Sequence, residues 1–266
     1  MKVIERGHGT ERVAIVGGIH GDEPAGERIV NRLADRIDDD AEKTIQLIIA
    51  NEPALKRGER YTSVDLNRSF PGDLEGETYE TVLAARLKRL LEGCDAVLAL
   101  HTSRSAPPPF AVYSSLTESV RRTVTALPVE YALDSGTLRD TTLDSVVPHA
   151  VSFETGRQGS EEAVEVGFEG ALSFLRAHGA VTDMDPSFTE TTVVEGQREV
   201  PKGDGTPHVY YNNFEPLPKG AIFAEDDTYT HRVEHDDLVP VLASEHGYEN
   251  LFGVYATVKQ TLDPPS

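Results

Sequence analysis

The sequence predicts an α/β fold: a mixed, largely parallel sheet with helices on both faces, followed by a small C-terminal all-β domain. Three observations predict it. Apolar runs of strand length alternate with amphipathic helical stripes as far as about residue 180, as strand–helix–strand units require. Beyond that point helical periodicity stops, and short extended runs separated by Gly, Pro and Asp replace it. The 266 residues suffice for one large α/β domain, or for a domain of about 180 residues with a smaller one attached. The expected division is residues 1–182 and residues 187–266.

The elements follow in order. Arg12–Gly18 is an apolar run ending in glycines, a buried strand entering a loop. Pro24 marks a helix start, and Ile29, Val30, Leu33, Ala34 and Ile37 give that helix one apolar face. Thr44–Asn51 is a second strand. Glu52–Asp73 is poor in apolar residues and contains Pro53, Gly58, Pro71 and Gly72, so it reads as a long ordered loop, a type that is usually functional. Gly76–Gly93 is a helix and Asp95–His101 a third buried strand, ending in a histidine. Phe110–Ser114 and Val129–Leu133 read as extended, with a weak helix at Thr117–Ala126 between them. Ala150–Thr155 is a strand, and Ser160–His178 a helix stopped by Gly179. The all-β part comprises Glu190–Glu195, Val209–Phe214, Ala221–Glu225, Tyr229–Val233, Leu238–Ala243 and Leu251–Val258.

Composition removes several functional classes. Against 45 Asp and Glu stand 25 Lys and Arg, a net charge of −20. Such a surface repels phosphate backbones and anionic lipid, so no nucleic acid and no membrane is expected among the partners. The sequence has no run of about 18 apolar residues to span a bilayer, and Met1–Thr10 has no apolar signal core. A soluble, cytoplasmic protein is expected. Cys94 stands alone, which excludes an intramolecular disulfide and a cysteine-based zinc cluster. Only 7 of the 25 basic residues are Lys, and acidic blocks such as Asp38–Asp40 and Asp236–Asp237 are spread along the chain. This is the pattern expected of a salt-adapted, halophilic protein.

The chemistry-bearing residues begin with His20 and Glu23, just past a strand end. A histidine and a glutamate three apart at a loop–helix junction can address one centre, and both are zinc donors. A catalytic zinc site needs three protein ligands and one open position. Taken alone, the pair reads better as a loop histidine beside a helix-capping acid. His101 alters the balance, because it too ends a strand, and sites in open α/β sheets gather beyond the strands' carboxyl ends. A site of His20, Glu23 and His101, holding one Zn²⁺ per chain, becomes the better reading. In the long loop, Arg57, Arg60 and Arg68 concentrate cations in an anionic protein and suit binding of a carboxylate or an oxyanion. The other histidines, including His149, His231, His235 and His246, read as surface or structural.

Four segments occur in order: GGIHGDEPAG, NEPALKRGERYTSVDLNRSFPG, LALHTS and SFETGRQG. In them the chain resembles the succinylglutamate desuccinylase/aspartoacylase family, which is similar in fold to the zinc carboxypeptidases. The resemblance covers nearly the whole chain. It implies zinc bound by His20, Glu23 and His101, with Arg60 polarising the scissile carbonyl beside the metal. It further implies that Asn67 and Arg68 hold a substrate carboxylate, that Glu154 is the catalytic acid/base, and that the C-terminal part is a lid carrying a substrate-binding Tyr248. Glu154 also stands out on its own residues, since a glutamate inside a buried strand is costly unless it has partners or a task. One expected feature is missing. The family resemblance implies an arginine for a second substrate carboxylate in the stretch Thr141-Thr142-Leu143-Asp144, about ten residues before Glu154, and no basic residue stands there. Arg139 and Arg104 are the nearest candidates.

The expected activity is zinc-dependent deacylation of a small-molecule N-acyl amino acid, in amino acid metabolism. A zinc carboxypeptidase acting on a C-terminal residue is the rival enzyme reading, disfavoured by a lid that restricts the cleft. A catalytically decayed zinc-binding protein is the non-enzyme reading, disfavoured by retention of Glu154 with all three ligands. The sequence leaves homo-oligomerisation open.

Overall fold

The computed structural model describes residues 1–265. Strands β1 (Lys2–Arg6) and β2 (Arg12–Gly17) lead into helix α1 (Pro24–Arg36), followed by β3 (Thr44–Ile49), α2 (Glu52–Arg57), α3 (Tyr79–Leu91) and β4 (Ala96–Ser103). The middle holds β5 (Phe110–Tyr113), α4 (Glu118–Ala126), β6 (Tyr131–Asp134), the single turn α5 (Leu143–Val146), β7 (Ala150–Arg157) and α6 (Glu161–Ala177). Six strands complete the chain: β8 (Thr191–Pro201), β9 (His208–Val209), β10 (Ile222–Glu225), β11 (Thr230–Arg232), β12 (Leu238–Val241) and β13 (Leu251–Leu262). Helix starts are set by side-chain caps: Thr78, Thr117 and Ser160 each accept a hydrogen bond from the backbone N–H three residues on.

One sheet of ten strands runs β1-β3-β2-β4-β7-β5-β6-β8-β13-β12. Its centre is parallel, β3, β2, β4 and β7 lying side by side in one direction. Strand β5 runs antiparallel to β7 and then resumes parallel pairing with β6, which pairs parallel with β8. Alternation along the strands feeds two cores. Val13, Ile15, Leu47 and Leu98 pack with α1, α4 and α6 on one face. Ala14, Val16, Ile48 and Val97 pack with Leu83, Leu87 and Leu91 of α3 on the other. The mixed sheet covered on both faces matches the sequence expectation. The C-terminal strands divide between two sheets. Strands β8, β13 and β12 extend the large sheet, and β9, β10 and β11 form a separate antiparallel sheet of three. Among the described residues no helix is long and apolar enough to cross a membrane.

Three elements depart from the periodicity reading, each for a local reason. Strand β1 carries Lys2, Glu5 and Arg6, and is held at the sheet edge by antiparallel pairing with β3 rather than by apolar burial. Helix α2 occupies the start of the expected long loop, capped by the Asn51 side chain at Ala54 N and stopped by left-handed Gly58. The extended run expected at Val209–Phe214 shrinks to His208–Val209, because the chain turns out of extended geometry at Phe214 (φ +63°).

Candidate active site

The carboxyl end of the central strands builds the site. Strand β2 ends in Gly17 because a Cβ there would lie 2.3 Å from the Gly26 carbonyl oxygen, so the strand end and α1 can approach only without side chains. Gly21 does the same against α2, where a Cβ would meet the backbone of Ala54 at 2.1 Å. These contacts fix the turn that carries His20. Glu23 occupies the N-cap position of α1, yet its carboxylate caps no N–H of that helix. Instead it accepts from Thr102 N at 2.9 Å and lies 2.7 Å from His20 Nδ1 and 3.4 Å from His101 Nδ1. The capping alternative is thereby excluded. His101 sits in β4, and the parallel register places Glu154 of β7 directly beside it.

The ligand atoms of His20, Glu23 and His101 all lie within 4.8 Å of one another, and all three side chains are buried. Burial opposes charge on His20, but the carboxylates of Glu23 and Asp65 outweigh it and push the imidazole up to about 9. Burial likewise opposes ionisation of Glu23, but the two histidines hold it well below the ordinary carboxylate range. Two imidazole nitrogens and one ionised carboxylate, converging in a buried spot, are a donor set suited to a divalent cation. His20 also meets the usual outer requirement of a ligating histidine. With Nδ1 facing Glu23, its Nε2 lies 3.1 Å from Asp65 Oδ1, which fixes the ring.

Glu154 is aimed at the same centre. Its Oε2 is buried without a hydrogen-bond partner. Burial raises its pKa, an effect that His101 opposes and the Glu23 carboxylate reinforces. Arg60 donates from Nε to Asp65 Oδ2 at 2.9 Å and from Nη1 to Glu23 Oε1 at 3.4 Å. Asn67 is positioned by its Oδ1, which accepts from Leu143 N at 2.9 Å. Among the described residues Arg68 has no carboxylate within 4.0 Å, and its Nη1 donates only to the Asn67 carbonyl oxygen. Tyr248, from the loop before β13, brings its hydroxyl 3.4 Å from Ser103 Oγ, and burial pushes that hydroxyl up to about 12. A cleft is lined by all eight residues that the family resemblance implies, whereas Arg57 stands outside it, exposed and 3.9 Å from Glu59. Of the substitutes for the absent arginine, Arg139 lines the cleft but is paired with Glu199 at 2.8 Å, and Arg104 at the rim is paired with Asp22 at 2.6 Å.

Sequence reasoning missed two acids. Asp65 ties His20 to Arg60 and also accepts from Asn67 N at 2.8 Å. The signal was its place at the head of the DLNR segment. Glu80, buried in the first turn of α3, accepts from Thr62 N, Thr62 Oγ1 and Asn51 Nδ2 on Oε1, and from Ser63 N and Val64 N on Oε2. Nothing in the helical stripe separates it from a solvent-facing glutamate.

Fold and site together define an α/β protein with a mixed, largely parallel sheet and a buried His–Glu–His cluster at the strand ends. Residues 9–177 match the description Succinylglutamate desuccinylase/Aspartoacylase catalytic domain. The chain belongs to the succinylglutamate desuccinylase/aspartoacylase family, a family of deacylases. It is 30% identical over 244 residues to the N-alpha-acetyl-L-2,4-diaminobutyric acid deacetylase of Halomonas elongata, covering 85% of this chain and 65% of that protein. The chain thus spans just under two thirds of that relative's length. In fold it is similar to the product-bound ectoine utilization protein EutE (DoeB) of Ruegeria pomeroyi, with TM-score 0.78 and 22% identity over 96% of this chain and 87% of that one. Murine aminoacylase 3 is similar at TM-score 0.75 and 19% identity, covering 97% of this chain and 98% of that one.

Proposed function

We propose that the protein is a zinc-dependent deacylase that hydrolyses the amide of a small N-acyl amino acid. The observation that carries this reading is the buried, unpartnered Oε2 of Glu154, in register beside His101. Family membership supports the reaction class, and the Halomonas relative, named a deacetylase of an acetylated diamino acid, supports the substrate class.

Held by His20, Glu23 and His101, zinc would supply Lewis acidity to the attacking water and to the acyl carbonyl. Glu154 takes a proton from that water and returns it to the departing nitrogen, so that amide and water become a carboxylic acid and an amine, which separate as carboxylate and ammonium once the acid's proton passes to the amine. A raised pKa suits the first half of this task, since it makes the carboxylate a stronger base toward the water's proton, while the acid it becomes is still far more acidic than the ammonium that forms on the departing nitrogen. Arg60, locked by Asp65 and Glu23, points a preorganised cation at the oxygen that becomes negative. Arg68, free of carboxylates, and Asn67 take the substrate's α-carboxylate. We assign the chemistry to residues 1–182 and the role of lid, with Tyr248 as its contact, to residues 187–266. The acidic, lysine-poor composition supports a salt-adapted, cytoplasmic setting.

The test is a panel of N-acyl amino acids and short peptides, assayed with zinc added and read by release of free amine. Release from N-acyl amino acids is expected. Faster release of C-terminal residues from peptides would make the protein a carboxypeptidase, and zinc uptake without hydrolysis of either would make it a binding protein.

A further inference from the structure

Adjoining the cleft is a smaller pocket, walled by Val112, Leu133, Leu138 and Val254, and sharing His101 and Glu154 with the cleft. At its lining stands a buried carboxylate that the chemistry above does not use. Asp144 is 6% exposed, and its Oδ1 accepts from Ser152 Oγ at 2.9 Å. Ser152 is two residues before Glu154 and so lies on the same face of β7, about 7 Å along the strand. Among the described residues no cation pairs with Asp144, and burial raises its pKa despite the Ser152 hydroxyl. Of the other groups facing the pocket, His101 favours the ionised carboxylate of Asp144 but makes no hydrogen bond to it. Glu154 is itself acidic, and Arg139 is engaged twice by Glu199, at 3.0 and 2.8 Å. An apolar-walled pocket with a buried acid at its lining repels a carboxylate and rewards a short apolar stem ending in a cation.

We propose that this pocket selects amino acids whose side chain ends in an ammonium group a few methylenes from the α-carbon, and that Asp144 is the residue that recognises it. The inference rests on the deacylase reading for the bond cleaved, but not for the ligand bound. It places the cleft's cation, Arg68, on the α-carboxylate and the pocket's anion, Asp144, on the side chain. Substrates with an acidic side chain are disfavoured, because they would bring two carboxylates together in a poorly hydrated space.

The test uses the full, zinc-loaded chain and two readouts. Calorimetry compares L-2,4-diaminobutyrate with its neutral isostere L-norvaline and with L-glutamate. Hydrolysis is followed on the Nα-acetyl derivative of each. A charge-assisted contact in a buried pocket predicts a preference of about ten- to a hundredfold for the diamino acid over norvaline, with glutamate weakest. Asp144→Asn, nearly isosteric, should collapse that ratio toward one. Equal binding of the diamino acid and norvaline by the wild type, which requires no variant to fold, overturns the inference, as does a ratio that survives in Asp144→Asn. The two readings fail separately. A binding preference without hydrolysis of any N-acyl amino acid removes the deacylase and supports the pocket, and hydrolysis without preference does the reverse.

Discussion

Replacing Glu80 by Gln should loosen the arginine loop from a distance. The carboxylate of Glu80 collects five donors, at 2.6 and 2.8 Å from Thr62, 3.2 Å from Asn51, 3.2 Å from Ser63 and 3.4 Å from Val64. An amide keeps one oxygen. Its best orientation leaves that oxygen with Thr62 and Asn51 and turns the NH₂ against the N–H groups of Ser63 and Val64. Two hydrogen bonds to a charged acceptor are lost, each contributing about 1.5–3 kcal/mol, and two donors face each other. Ser63 is exposed and recovers water, so the net loss should be about 2–4 kcal/mol. Urea unfolding reads the stability, and native-state amide exchange at residues 62–64 reads the location. Arg60 and Asp65 sit on the same segment, so kcat/KM should fall by about tenfold or more through misplacement. An unchanged urea midpoint with the three amides as protected as in the wild type would show that Glu80 does not hold the loop.

Arg68→Ala should raise KM for substrates with a free α-carboxylate and much less for their amides; equal effects on both would remove Arg68 from carboxylate binding. The acid limb of kcat/KM should have its midpoint above the ordinary glutamate value of about 4.3, because Glu154 must be ionised to accept a proton and burial favours its protonated form. A midpoint at or below that value would contradict the assignment. His178, half-buried against Phe174 and hydrogen-bonded to Thr123 Oγ1, is held down to about 4, by loss of hydration first and by Arg122 next. Its folded pKa lies below its unfolded one, so its stability contribution is complete above about pH 6.5 and is lost as pH falls toward 4, by roughly 2–3 kcal/mol. Chemical denaturation of His178→Gln against wild type should show a shallower loss over that window, and parallel curves would count against it.

How much of this was legible in the sequence depended on whether the signal was local. The helices α1, α3 and α6 and the strands β2, β3, β4 and β7 carry their period in a few consecutive residues, and each was readable. The eight residues that the family resemblance implies come together because His101 and Glu154 lie near the carboxyl ends of β4 and β7 and the others on loops between strands, a rule of topology. Asp144 and Glu80 were not readable as site-shaping residues, since their importance comes from what faces them across the fold: Ser152 and the smaller pocket for one, the Thr62–Val64 backbone for the other. Strand β1 was obscured because an edge strand is specified by hydrogen bonding to its neighbour, and its charged residues hide the alternation. That β8, β13 and β12 extend the large sheet was also invisible, because β6 and β8 pair across the intervening α5, β7 and α6, which sequence period does not connect.

The central claim is that Glu154 performs proton transfer beside a zinc held by His20, Glu23 and His101. The most direct measurement is single-turnover hydrolysis of an N-acyl amino acid by Glu154→Gln, with elemental analysis of the same preparation and of the His20→Ala, His101→Ala double variant. Glu154→Gln should keep one zinc per chain and a wild-type circular dichroism spectrum, with a rate reduced by roughly 10²–10⁴-fold, because the amide fills the same space but cannot accept the proton. Little zinc is expected in the double variant. A Glu154→Gln protein turning over at near the wild-type rate, or full zinc occupancy after loss of both histidines, would contradict the claim.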